Sequence, residues 1–286
     1  MKIGVITDGI SRNFEYALEV VNEFGLEYIE LQFLWEQEIG DQTDTKVRRI
    51  KELVESHEVK VSCLSRHIFG GVKVNDVDID GPVYSKHYNA LKRNIEIAKE
   101  LNCPIVRAFS GSREVIMFGS GGAKKWVVNN TAWDKLIECM KPFATLAEDE
   151  GITVAIETGN NAVVCSAYLA RKLVDDVGSD NLRIIWDIPN TLTCGEIPYP
   201  DGYDYVRPVT AHIHLKDAEV FPTKATVNFT ELGKGHLAPH LVNIANALKK
   251  DDYQGVISYE SVYRPEGGSF EDGFRASFPL FKKLFD

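Results

Sequence analysis

Residues 151–190 read GITVAIETGNNAVVCSAYLARKLVDDVGSDNLRIIWDIPN. The stretch holds one strand–helix–strand unit. Thr153–Thr158 and Leu182–Asp187 are short and rich in Val, Ile and Leu, the composition of parallel strands covered on both faces. Between them Ala167–Val177 carries apolar residues at helical spacing, with Ser166 placed to cap its start and Gly178 to end it. Glu157 closes the apolar run of the first strand and Asp187 that of the second.

Outward from this unit the same alternation covers the chain. Runs at Ile3–Thr7, Tyr28–Gln32, Lys60–Leu64, Ile105–Ser110, Ala211–Lys216 and Gly255–Glu260 bring the expected strands to eight. Helices are expected over Asn13–Phe24, Thr45–Ser56, Tyr88–Leu101, Trp133–Glu148, Pro239–Leu248 and Phe270–Phe285, with Asn13 and Asp44 among the candidate caps. A doubly wound open sheet would normally show GxGxxG after its first strand, and here Thr7-Asp8-Gly9-Ile10-Ser11 follows. The pattern therefore predicts an α/β fold, a (β/α)₈ TIM barrel, as a single domain over residues 1–286. Long polar loops, Arg66–His87, Gly111–Asn130, Asn190–Tyr203 and Ala218–His236, all follow strands, while the opposite connections are short. The C-terminal face of the barrel is the expected working end.

Composition narrows the partners. With 42 acidic against 32 basic residues the net charge is −10, which disfavours a nucleic acid, whose phosphates need Lys and Arg. No run approaches the roughly 18 apolar residues of a membrane span. Met1–Thr7 reads as a strand rather than a signal peptide, and Cys63, Cys103, Cys139, Cys165 and Cys194 are scattered without CxxC spacing. Both point to a reduced, cytoplasmic chain.

Metal-competent residues end the last four strands: Glu157, Asp187, His214 and Glu260. Adjacent strands lie about 4.7–4.9 Å apart, so such side chains can converge on one ion. One strand-end carboxylate is ordinarily a solvated or helix-capping residue. Several buried together would repel one another without a cation. Three carboxylates and one imidazole form a mainly hard donor set, with Mn²⁺ favoured and Mg²⁺, Co²⁺ or Zn²⁺ also compatible.

The phrases Ile156-Glu157, Asp187-Ile188-Pro189-Asn190, His212-Ile213-His214-Leu215-Lys216-Asp217, Glu231-Leu232-Gly233-Lys234-Gly235-His236 and Tyr259-Glu260 resemble the xylose isomerase-like TIM barrels. That superfamily includes keto-sugar and sugar-phosphate isomerases and epimerases, inosose dehydratases and apurinic endonucleases. The resemblance implies one divalent metal on Glu157, Asp187, His214 and Glu260, and it selects His214 rather than His212. It also implies proton transfer by Glu157 and Glu260 through a cis-enediolate. The physical logic stands beside it: a cation on a carbonyl and its neighbouring hydroxyl acidifies the C–H bond, and a carboxylate within reach takes the proton.

The expected activity is thus a metal-dependent isomerase or epimerase of a small keto sugar or sugar phosphate. An inosose- or dehydroshikimate-type dehydratase is the alternative, since it begins with the same proton abstraction. An abasic-site endonuclease is disfavoured because Asn190 and Arg107-Ala108-Phe109-Ser110 stand where that branch has histidines. A non-catalytic sugar-binding barrel would tolerate loss of Glu157 or Glu260. A homodimer or homotetramer is expected by analogy with relatives.

Substrate-side candidates are His67, Arg107, Asn190, Lys216 and His236. Arg107, inside a strand, must be paired with a carboxylate or used on substrate. Lys216 either polarises a substrate oxygen or bridges to a ligand carboxylate. His236 sits in a loop that either approaches substrate or is a surface turn, and His212 reads as a deeper barrel residue. Gly119-Ser120-Gly121-Gly122 with Lys124-Lys125 reads as a lid more than a phosphate nest, and Trp35 and Trp126 either stack on a sugar or pack internally.

Overall fold

The structure is a computed structural model that describes residues 1–113, 130–224 and 226–286. Its strands are β1 Lys2–Ile6, β2 Tyr28–Leu31, β3 Lys60–Leu64, β4 Ile105–Ala108, β5 Thr153–Glu157, β6 Leu182–Asp187, β7 Thr210–Leu215 and β8 Val256–Tyr259. They close into one barrel of eight parallel strands in sequence order, with β1 pairing both β2 and β8. Every strand expected from the sequence is present, with ends shifted by two residues at most and with Lys60–Leu64 and Leu182–Asp187 unchanged.

The helices are α1 Phe14–Glu23, α2 Asp44–Ser56, α3 Pro82–Glu100, α4 Asn130–Glu150, α5 Ala167–Val177, α6 Ile188–Leu192, α7 Tyr203–Val206, α8 Leu241–Lys250 and α9 Phe270–Phe285. Asn13 and Ser166 cap α1 and α5 through their side chains as expected, and Gly178 ends α5 in the left-handed region at φ +75°. For α2 the cap is Thr43, one residue before the expected Asp44. The third helix starts at Pro82, six residues before the expected Tyr88, because Pro suits the first helical position and Tyr84 is buried with its hydroxyl on the Cys139 carbonyl at 2.8 Å. The sixth crossover has the short α6 and α7 and a π-helical turn over Pro198–Gly202, in a stretch interrupted by Pro198, Pro200 and Pro208.

Alternation along the strands divides the interior. Val106, Val154, Ile156, Ile184, Trp186, Ile213 and Leu215 belong to the large core between barrel and helices. Cys63, Ile105, Ala155 and Ile185 form a separate apolar cluster of opposite parity. Continuing that parity toward the strands' C-terminal ends gives Ser65, Arg107, Glu157 and Asp187. All four are buried, so the barrel changes from an apolar plug to a polar layer within two residues.

Two antiparallel hairpins lie in loops after strands, Phe33–Leu34 with Gln37–Glu38 and Asp217–Phe221 with Thr226–Thr230. The Gly119–Gly122 segment, Lys124, Lys125 and Trp126 lie outside the described residues. Trp35 packs edge-on against Phe14 and donates its indole N–H to Glu15 at 2.8 Å, so its role here is packing. All five cysteines are free thiols.

Candidate metal centre at the C-terminal mouth

Four strand ends supply the polar layer. Cα register sets Asp187 of β6 beside His214 of β7, and His214 beside Ser258 of β8. Glu157 stands at the end of β5, and Glu260 follows β8 directly with its N–H on the Leu215 carbonyl. One ligand atom each from Glu157, Asp187 and His214 lies within 4.8 Å of the others, and all three residues are buried. His214 Nδ1 is 3.5 Å from Glu157 Oε1 and has no hydrogen-bond partner. Glu260 is tied elsewhere: its Oε2 accepts from Lys216 Nζ, which also donates to Asp187 Oδ2.

The side chains expected at the mouth fall into distinct places. Arg107 donates to Glu157 Oε2 at 2.8 Å and to the Ser65 carbonyl, with its guanidinium 4.8 Å from the Phe109 ring centre. Asn190 donates its side-chain amide to Asp187 Oδ2 at 2.7 Å and its backbone N–H to Asp187 Oδ1 at 3.3 Å, so it orients Asp187 at the start of α6. His67 stacks on Phe109 with centroids 5.6 Å apart and holds Glu38 at 2.5 Å; it lines a cleft of about 340 Å³ with Gly111, Ser112, Asn160 and Asn161. His236 is exposed in the loop after the second hairpin, against which its Nδ1 accepts the Val220 N–H at 3.1 Å. His212 is fully buried below His214.

Charges in this layer are strongly displaced. Burial works against the Glu157 carboxylate, but Arg107 and His214 outweigh it and hold its pKa below the ordinary range. Burial pushes Asp187 upward, opposed by Lys216 and reinforced by Glu260 and Glu157. The Lys216 ammonium is buried too, and Asp187 and Glu260 keep it protonated. Lys216 is thus a fixed positive charge between two of the four expected ligands.

The sequence reading passed over Glu30 on β2, which is fully buried. Its Oε2 meets His212 Nε2 at 2.8 Å, while its Oε1 meets His214 Nε2 at 2.8 Å and the Ser65 hydroxyl. Asp8, just after β1, was passed over as well; it lines a second cleft of about 570 Å³ that includes Gln32 and Glu260. A carboxylate among the apolar residues of Tyr28-Ile29-Glu30-Leu31 was the available signal for the first.

The donor set suits a divalent cation. Glu157, Asp187 and His214 offer hard oxygens and one imidazole nitrogen that is buried and otherwise unpartnered.

The chain resembles solved structures over nearly its whole length. One is a probable 3-DHS dehydratase, AsbF, from Bacillus anthracis, at 17% identity with 99% of each chain covered and a TM-score of 0.72. Another is a D-psicose 3-epimerase from Clostridium cellulolyticum H10 with D-tagatose, at 14% identity with 100% of each chain covered and a TM-score of 0.72. A third is the IolI protein with a bound zinc atom, at 19% identity over 100% of this chain and 98% of that one, TM-score 0.71. At these identities the likeness shows the fold. No curated protein matches the chain in sequence. A family profile described as xylose isomerase-like TIM barrel matches residues 18–284. With the closed barrel and this mouth, the match shows that the chain belongs to the xylose isomerase-like TIM barrel family.

Proposed function

We propose that the protein is a divalent-metal-dependent isomerase or epimerase of a small keto sugar or sugar phosphate, acting by proton transfer through a cis-enediolate. The observation that carries this reading is the convergence of Glu157, Asp187 and His214, within 4.8 Å, at the C-terminal mouth of the barrel. Those three residues with Glu260 would hold the cation, Mn²⁺ by preference, and when bound it would acidify a C–H beside a carbonyl and stabilise the resulting negative charge.

The chain's own groups supply the rest. Glu157 is kept ionised by Arg107, which engages only Oε2 and leaves Oε1 toward His214. Glu157 and Glu260 come from β5 and β8, with two strands between them, so they approach a bound sugar from different sides. One takes the proton and the other returns it. Lys216, already an ammonium, donates to a substrate oxygen when it leaves Glu260. His67 contributes to hydroxyl recognition from its cleft, as does His236 if the second hairpin swings inward. Asn190 and Arg107 act through the carboxylates they hold.

Proton NMR in D₂O tests the reading. The metal-loaded protein is incubated with ketoses, their phosphates, hydroxypyruvate and inosose, then quenched with chelator. Deuterium beside a carbonyl together with a rearranged sugar is expected, and Glu157→Gln should abolish both. Loss of a hydroxyl would reassign the protein as a dehydratase. Absence of exchange with every compound would remove the proton-transfer reading.

A further inference from the structure

We propose that Glu30 is a positioning residue: it fixes the His214 ring so that Nδ1, and not Nε2, is presented to a cation held with Glu157 and Asp187. The inference rests on the metal-dependent reading above, and it concerns a strand on the far side of the ring from the mouth residues.

A neutral imidazole has one N–H and one lone pair, and the hydrogen bond at one nitrogen decides which nitrogen is the ligand. Glu30 Oε1 lies 2.8 Å from His214 Nε2 and can only accept, so the hydrogen belongs on Nε2. In the neutral, metal-bound ring the lone pair is then on Nδ1, the atom that lies 3.5 Å from Glu157 Oε1 and makes no hydrogen bond. A buried imidazole nitrogen left without a partner costs free energy unless something occupies it.

Glu30 is itself braced. Ser65 of the β3 end donates to Oε1, and His212 Nε2 meets Oε2 at 2.8 Å while also lying 3.1 Å from Ser258 Oγ. Residues of β2, the β3 end and β7 thus meet at one carboxylate, with Ser258 of β8 bracing His212 behind it, and Glu30, His212, Ser65 and Ser258 are all fully buried. Such an assembly holds a ring orientation far more tightly than packing against apolar neighbours. Glu30, His212 and His214 also place ligand atoms within 4.8 Å of one another, so direct cation binding by that trio is the rival arrangement. It is disfavoured because both Nε2 atoms are already satisfied there.

The test uses metal alone, without sugar. Mn²⁺ is titrated calorimetrically into the metal-free wild type, Glu30→Gln, His212→Ala and Glu157→Gln. Removing a partner that orients a ligand typically weakens metal binding about 10–100-fold, the loss expected for Glu30→Gln. Unchanged affinity in Glu30→Gln overturns the proposal. So does a Glu157→Gln variant that binds as wild type while His212→Ala does not, since the cation then sits on the trio. A second readout needs no variant: histidine ¹⁵N NMR of the Zn²⁺-loaded wild type should show His214 with hydrogen on Nε2 and metal on Nδ1. The opposite assignment overturns the proposal. A wild type that binds no divalent cation removes the proposed function as well, whereas normal wild-type binding with an indifferent Glu30→Gln removes only this inference.

Discussion

At Lys216 a buried ammonium on β7's continuation donates to Asp187, the last residue of β6, and to Glu260, just after β8. Removing one partner of a buried ionic group typically costs about 3–5 kcal/mol, because the remaining charges stay desolvated. Lys216→Met should therefore be clearly less stable than wild type in the absence of metal, as measured by urea unfolding. Saturating Mn²⁺ should restore much of the loss by supplying the missing positive charge. A metal-free variant as stable as wild type would show that the bridge carries no net charge compensation. Asp8 gives a prediction of opposite kind. Burial raises its pKa to about 6 against the pull of the Phe33 N–H, so the folded state keeps a proton that the unfolded chain releases near 3.8. Between those values the unfolded state binds fewer protons, and stability falls as pH rises. Replacing Asp8 by Asn should then stabilise the protein by about 3 kcal/mol above pH 6 and have little effect below pH 4, on the scale of 1.36 kcal/mol per pH unit. Equal urea midpoints for the two proteins at pH 7 would contradict it.

Among the elements, α9 shows packing overruling propensity. Its buried face is built from Phe274, Phe278, Phe281 and Phe285, and a Ser269–Asp272 capping box starts it. The box follows the S-x-x-D spacing of Ser269-Phe270-Glu271-Asp272. Ser269→Ala should cost about 1 kcal/mol, a fall of a few degrees in Tm. Gly273 is different. In a free helix Ala is better than Gly by about 1 kcal/mol, yet a Cβ at 273 would meet the Tyr263 carbonyl oxygen at 1.9 Å. That carbonyl lies in the loop that leaves Glu260, so Gly273→Ala is expected to lower Tm, against its helix propensity. A raised Tm would mean that the loop yields without cost. The sixth crossover carries the converse lesson. Its prolines rule out a long helix from sequence, and Asp187 with Pro189 marks the start of the short α6, which Asp187 caps with the same carboxylate that faces the candidate metal centre.

For the molecule as a whole, a ligand that binds only the closed barrel stabilises it by mass action, about 2.7 kcal/mol at one hundred times its Kd. Tm should rise with added Mn²⁺ and fall back on chelation, and His214→Ala should lose that response. A His214→Ala protein with the full wild-type increment would place the cation elsewhere. The global charge of −10 takes no part in this local balance, because the mouth carries its own cations, Arg107 and Lys216, each already bonded to a carboxylate. No helix among the described residues is long and apolar enough to cross a membrane.

The barrel strands, the long helices and the four ligand-type residues at strand ends were readable from the sequence, since burial alternation and helical spacing are properties of ten-residue windows, while the short α6 and α7 were not expected. The order of the barrel followed from the alternation of strands and helices. Partner choice did not. Glu30 meets His212 and His214 across separations of 182 and 184 residues, and Lys216 reaches Asp187 across 29 and Glu260 across 44. Those contacts depend on the level at which each strand enters the closed barrel. Register slips between Ile29 and Glu30 against β3, and between Ile184 and Ile185 against β7, help to set it. A slip of one residue exchanges which side chains face inward, and only closure of all eight strands fixes it. The residue types at the strand ends are therefore written locally, while the carboxylate that orients the histidine, and the lysine that holds two of the acids, are decided by the fold.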